Sequence, residues 1–249
     1  MTATKKASCR LYLGDCIEIM GQLEDGSYDL VVADPPYGIN CSKIGSGIGG
    51  KGTYHRYTTT GASRIVGDDL VDVRWLTEAF RLLADGGILY SFSHWKVDRK
   101  WHDAIEQVGF KIKNRIVWEK SHGSSGDLDG AFMCKHETIW RAVKGAGAKL
   151  RCKRYGDVWR DKRTECIRHH KVHPFEKPVD LLARCILADT DQGANVIDPF
   201  MGSGSTGVAC TETGRLFTGI EICQEYYEEA ECRIRAAVRK PSMYNTLGI

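Results

Sequence analysis

No apolar run in the 249 residues approaches the roughly 18 to 20 that a membrane-spanning helix needs, which excludes a helical integral membrane protein. The opening MTATKKASCR has two lysines but no apolar stretch behind them, unlike a secretory signal, so a cytoplasmic location is expected. Ten cysteines are present, yet none forms a C-x-x-C pair. Without an export signal they read as reduced, mostly buried thiols, not as a disulfide framework. The phosphate-loop pattern G-x-x-x-x-G-K-[ST] is also missing, which disfavours ATP. Internal repeats and low-complexity tracts are absent too. With 42% hydrophobic and 27% charged residues, what remains is a folded chain of a size suited to one domain.

The net charge of +3 conceals an uneven distribution. Between Lys144 and Lys171, ten basic residues face three acidic ones. Between Gly38 and Gly67, Lys43, Lys51, Arg56 and Arg64 face no acid at all. Two basic segments on an otherwise acidic body suit a polyanion held at a defined place. The bland alternative is a pair of solvated loops.

Short apolar runs alternate with amphipathic stretches, the pattern of an α/β sheet. Tyr28 to Asp34 reads as a strand stopped by Pro35 and Pro36, which supply no amide hydrogen. Trp75 to Leu83 reads as a helix ended by Gly86 and Gly87 before a strand from Ile88 to Phe92. A helix over Trp95 to Val108, strands over Arg115 to Trp118 and Thr138 to Val143, and a helix over Pro178 to Ala188 follow. The last stretch is a βαβα unit: strand Ala194 to Asp198, helix Ser205 to Thr213, strand Leu216 to Glu221, and helix Gln224 to Arg239 with acids early and arginines late. Two regions interrupt this order. Five glycines crowd positions 45 to 52, predicting a flexible loop over 38–67. The other is the basic insertion at about 144–171.

Two constellations carry chemistry. Asp34-Pro35-Pro36-Tyr37 ends a strand, where open α/β sheets place their ligands. A carboxylate and a proline-stiffened carbonyl offer two fixed acceptors for the hydrogens of an exocyclic amine. Accepting both aims the nitrogen lone pair at an electrophile, and Tyr37 can stack on a base. The competing reading is a proline-terminated strand and turn. The second constellation is Asp198-Pro199-Phe200-Met201-Gly202-Ser203-Gly204-Ser205-Thr206-Gly207, between strand and helix, with Glu221 ending the next strand where a carboxylate can accept ribose hydroxyls. Which nucleoside-bearing cofactor it serves is left open by the residues themselves.

Together these motifs resemble the beta group of DNA amino-methyltransferases, which use S-adenosylmethionine to methylate N6 of adenine or N4 of cytosine. The catalytic tetrapeptide precedes the cofactor turn, as in that circularly permuted group. The likeness extends to Leu13-Gly14-Asp15-Cys16, Trp118-Glu119-Lys120, His136-Glu137 and His173 to Pro178, and so spans most of the chain. It implies a Rossmann-like, seven-stranded methyltransferase sheet with helices on both faces, forming a single domain. Asp34, Pro35, Pro36 and Tyr37 become the catalytic residues, acting on a base flipped out of double-stranded DNA.

By the same resemblance, Phe200, Gly202 and Gly204 line the cofactor pocket, Glu221 meets the ribose and Asp15 lies near the cofactor's adenine. Lys177, Ser205 and Thr206 lie near its methionine end, Asp34 borders it, and Asp198 binds its amino group or orients the turn. Lys43, Lys51, Arg56 and Arg64 in the glycine loop are implied DNA contacts. So are Arg151, Lys153, Arg154, Arg160, Lys162 and Arg163 in a small target-recognition insertion. Asp at position 34 favours adenine, since the cytosine enzymes usually carry Ser there. Relatives imply a prokaryotic or phage source, a link to restriction-modification and a homodimer.

The rivals are a cytosine-N4 enzyme, an enzyme acting on RNA or a protein amide, and a catalytically inactive DNA-binding module. Cys152, Cys166, His169, His170 and His173 fit no compact zinc finger, and no metal is expected. The six tryptophans read as core, except Trp159 in the basic insertion.

Overall fold

A computed structural model describes residues 9–37, 72–121, 130–160 and 176–239. Among these residues, eight strands form one sheet in the order β1-β8-β7-β2-β3-β5-β4-β6. They are β1 (Cys9–Leu13), β2 (Tyr28–Ala33), β3 (Leu83–Ser93), β4 (Lys111–Glu119), β5 (His136–Val143), β6 (Val158–Arg160), β7 (Asn195–Asp198) and β8 (Leu216–Glu221). The helices are α1 (Cys16–Met20), α2 (Trp75–Leu82), α3 (Asp98–Val108), α4 (Val179–Asp189), α5 (Ser205–Thr213) and α6 (Gln224–Val238).

Alternation along β2 decides the layers. Leu30 and Val32 pack with Leu182, Ile186, Ala209 and Ile234 of α4, α5 and α6. Val31 and Ala33 pack with Met20, Trp75, Leu76 and Trp101 of α1, α2 and α3. A strand covered on both faces must be apolar at every position, which is why YDLVVA shows no polar alternation after Asp29. Helices therefore cover both faces, as expected.

From β1 to β3 the neighbours are parallel. β3 then pairs antiparallel with β5, and β5 with β4. This reversal brings the first residues of β5 and the last of β4 to the edge of the sheet where the parallel strands end. Ser93 lies opposite Thr138, and Trp118 opposite Glu137.

Several details depart from the sequence expectations: among the described cysteines only Cys185 and Cys210 are buried, and α3 begins at Asp98, not Trp95. Among the described residues the sheet has eight strands where seven were expected, because Val158, Trp159 and Arg160 of the basic insertion pair with Val117, Trp118 and Glu119. Trp159 is core after all, at 7% exposure, with the Arg184 guanidinium stacked 4.1 Å from its ring. The glycines at 86 and 87 do not end α2. That helix stops at Leu82, and the glycines lie inside β3, where Gly86 takes a left-handed φ of 81° and its amide donates to the Lys144 carbonyl. No helix among the described residues is long and apolar enough to cross a membrane.

A buried ion pair joins the antiparallel half to α4. Arg141 of β5 donates to both carboxylate oxygens of Asp189, at 2.8 and 2.5 Å, and Tyr90 donates to the same carboxylate at 2.6 Å. The pair fixes the far end of the helix whose first turn follows Lys177. Removing one partner would strand a buried charge. Asp189→Ala is expected to lower the free energy of unfolding by about 3–5 kcal/mol, read from urea denaturation monitored by circular dichroism.

Candidate active site

Asp34 follows the last residue of β2, and Asp198 and Glu221 are the last residues of β7 and β8. Because β2, β7 and β8 are successive parallel neighbours, the three carboxylates line one edge of the sheet. The Asp34–Tyr37 tetrapeptide and the glycine turn, 164 positions apart in the chain, thus share one place.

On the β2 side, Asp34 is held by its own motif and by a lysine. The Tyr37 hydroxyl donates to Asp34 Oδ1 at 2.6 Å and lies 3.4 Å from Glu137 Oε2. Lys177 Nζ sits 2.7 Å from Asp34 Oδ2 and 3.1 Å from Glu137 Oε2. Lys120 Nζ reaches Glu137 Oε1 at 3.0 Å. The side chains of Lys177 and Glu137 are only 11% and 13% exposed. Burial pushes the Asp34 carboxyl up, opposed by the Lys177 charge. For Glu137 burial acts in the same direction but is outweighed by Lys177 and Lys120, which bring it down to about 2. Burial would lower Lys177, but the two carboxylates raise it, so it stays an ammonium. Tyr37 is held neutral, pushed well up by burial and by the neighbouring Asp34 and Glu137 charges. Its ring faces His94 at 6.4 Å.

On the β7 side, the turn is built around Asp198. One carboxylate oxygen accepts from the Phe200 amide at 2.9 Å and the other from the Thr206 hydroxyl at 2.5 Å. Gly202 and Gly204 adopt φ of 50° and 81°. A Cβ on Gly202 would meet nothing within 4 Å, whereas one on Gly204 would lie 2.9 Å from Ala230 Cβ. The first glycine leaves open space and the second allows α6 to approach. Glu221 accepts from the Gly202 amide at 3.0 Å and the Cys223 amide at 2.8 Å, one on each oxygen. The ionised carboxylate keeps acceptor capacity beyond its backbone bonds and can still accept a hydroxyl. Phe200 is half-buried and stands edge-on to Trp75 at 5.3 Å. This set fits a ribose held by Glu221 with an aromatic ring at Phe200. Gly202, Gly204 and Gly207 also show the G-x-G-x-x-G spacing of dinucleotide sites, so glycine spacing alone does not choose among nucleosides.

The other site expectations fall unevenly. Asp15 caps α1, its Oδ1 accepting from the Ile17 amide at 2.8 Å and the Glu18 amide at 3.2 Å. It sits beside the Glu221 edge, since Leu13 pairs with Glu221. Lys177 lies on Asp34, with no solvated role at a helix start. Ser205 faces Glu176 and Arg233, while Thr206 is buried against Asp198. Lys153 and Arg154 are exposed, whereas Arg151 and Arg160 pair at the surface with Asp191 and Glu119. Lys43, Lys51, Arg56, Arg64, Lys162 and Arg163 lie outside the described residues, as do Cys166 and the histidines of the zinc grouping. Glu137 and Lys120 were part of the motif resemblance without a role, and the reversed strands bring them here.

Residues 28–232 match the family of N6 and N4 methyltransferases described as DNA methylase. The type II methyltransferase M2.DpnII of Streptococcus pneumoniae is 29% identical over 235 residues, 89% of this chain and 88% of that protein. The crystal structure of the M1.HpyAVI–SAM complex superposes with a TM-score of 0.65 at 23% identity, covering 90% of this chain and 99% of that one. The cytosine-N4-specific PvuII DNA methyltransferase superposes with a TM-score of 0.69 at 15% identity, covering 94% and 92%.

Asp198 makes a prediction for stability. Burial, opposed by its bonds from Thr206 and Phe200, pushes its carboxyl from an ordinary 3.8 up to about 7. The protonated form is favoured in the folded chain, so its stabilisation is complete below about pH 4 and lost as pH rises through about 7. Asp198→Asn cannot ionise and should lack this component. The difference between variant and parent in unfolding free energy is expected to change by on the order of 4 kcal/mol across that window, measured by urea unfolding without cofactor.

Proposed function

The chain belongs to the N6/N4 family of DNA methylases, and from that premise we propose that it transfers a methyl group from S-adenosylmethionine to the N6 amine of adenine in double-stranded DNA. The observation that carries the reading is the adjacency of β2 and β7, which sets the acceptor Asp34 beside the glycine turn. When bound, the cofactor supplies an electrophilic methyl group on a sulfonium. Glu221 would hold the ribose, and Gly202 and Gly204 would let the backbone approach. Phe200 would pack against the adenine ring, with Asp15 and Asp198 at the borders of the pocket and Ser205 at the turn.

The chain's own chemistry is acceptance and orientation. Asp34 and the Pro35 carbonyl take the two hydrogens of the target amine, which favours a tetrahedral nitrogen and directs its lone pair. Tyr37 offers its ring to the base. A paired base inside the stack cannot reach these groups, so the reading requires base flipping. As the amine took the methyl group and the methyl–sulfur bond broke, positive charge would develop on its nitrogen, and the Asp34 carboxylate beside it would stabilise that charge. Asp34 is consistent with adenine. The amine of cytosine presents the same two hydrogens, so the cytosine-N4 reading is kept as the alternative. Within the single domain, the exposed Lys153 and Arg154 are proposed phosphate contacts of the recognition insertion.

Asp34→Ala should reduce methyl transfer from tritiated cofactor by about a thousandfold or more while S-adenosylhomocysteine still binds by calorimetry; near-normal turnover would overturn the role. Mass spectrometry of nucleosides from treated DNA should find N6-methyladenine, and N4-methylcytosine in its place would select the alternative. Replacing Lys153 and Arg154 with glutamine should flatten the slope of log affinity against log salt by about 2, read by fluorescence anisotropy on duplex DNA. An unchanged slope would take the insertion off the phosphates.

A further inference from the structure

The acceptor that the proposed reaction needs is engaged by the protein's own side chains. Asp34 Oδ1 accepts from Tyr37 at 2.6 Å, and Oδ2 carries the Lys177 ammonium at 2.7 Å. An amine entering the site therefore competes with a cation for Oδ2. The competition has an electrostatic side as well. Nitrogen becomes positive as the methyl group arrives, and an ammonium on the same carboxylate cancels the field that favours this.

Lys177 cannot step aside by losing its proton, because the two carboxylates beside it hold it charged. It has to move, and among the described residues one destination avoids a journey into water. Glu137 Oε2 is already 3.1 Å from Nζ, while Glu137 Oε1 is anchored by Lys120 at 3.0 Å. The faces of Phe92 and Tyr37 line the way at 5.1 and 5.6 Å from Nζ. Releasing the ammonium to solvent would instead break up a buried set of charges.

We infer that Glu137 is a positioning residue that draws the Lys177 ammonium off Asp34 when the target base enters, so that one carboxylate parks the lysine and the other receives the amine. This rests on the proposed methyl transfer. It assigns Lys177 a guarding role: the cation keeps Asp34 paired while the site is without base, and Glu137 keeps that cation from becoming an inhibitor.

A rescue experiment separates this role from mere support of the fold. Initial rates on unmethylated bacterial chromosomal DNA with tritiated S-adenosylmethionine are compared for the parent, Glu137→Gln, Lys177→Met and the double variant. Glu137→Gln leaves Lys177 with Asp34 alone, and kcat should fall about tenfold or more with the KM for cofactor little changed. The double variant should be several-fold more active than Glu137→Gln, because removing the lysine frees Asp34 again. A double variant no faster than Glu137→Gln overturns the inference. Binding of S-adenosylhomocysteine by calorimetry reports folding; if Glu137→Gln does not bind, Glu137→Asp, which keeps the charge but withdraws it from Nζ, is put through the same comparison with the same expected order. A parent protein that binds S-adenosylhomocysteine yet moves no methyl group to DNA overturns the proposed function itself, a result distinct from an active parent without rescue.

Discussion

Four charged side chains, Asp34, Glu137, Lys177 and Lys120, meet at the end of the sheet with their charges balanced and largely out of water. Each alone would be expensive to bury, and together they are tolerable because each carboxylate oxygen and each ammonium has a partner. That mutual dependence makes the site a single electrostatic unit. It also explains why two carboxylates so close together behave differently. Asp34 is pushed up by burial, while Glu137, with two cations on it, is held near 2. Environments that drive paired groups apart are how one pocket assigns them separate tasks.

The unit exists because the sheet changes direction. Parallel strands deliver the ends of β2, β7 and β8, hence Asp34, Asp198 and Glu221. The antiparallel pair β5 and β4 then delivers the beginning of one strand and the end of the other to the same edge, hence Glu137 and Lys120. Lys177 arrives from a third direction, just ahead of α4, whose opposite end is fastened to β5 through Arg141 and Asp189. Strand β5 therefore locates the lysine twice, through Glu137 at its start and through Arg141 at its middle.

Much of this was legible in the chain itself. A strand buried on both faces leaves an unbroken apolar run, so YDLVVA and NVID stand out, and proline after each marks where the chain leaves the sheet. Glycine turns and the charge gradient of α6 were equally plain. What escaped has physical causes. Glu137 lies 100 positions from Tyr37, and nothing local shows that an antiparallel strand will bring them together. Val158 to Arg160 is three residues long with an exposed-buried-exposed pattern, too short to carry periodicity and set among basic residues that read as loop. Trp159 read as an exception to the core tryptophans because its neighbours are charged, yet Arg184 and the sheet cover it.

The small strand β6 has a consequence for the exposed side of the sheet. It pairs with Val117, Trp118 and Glu119 of β4 and, as the last strand in the order, presents an edge only three residues long, a poor template for a foreign strand. A graft that omits the three residues of β6 would uncover a longer stretch of the β4 edge and raise the propensity for self-association.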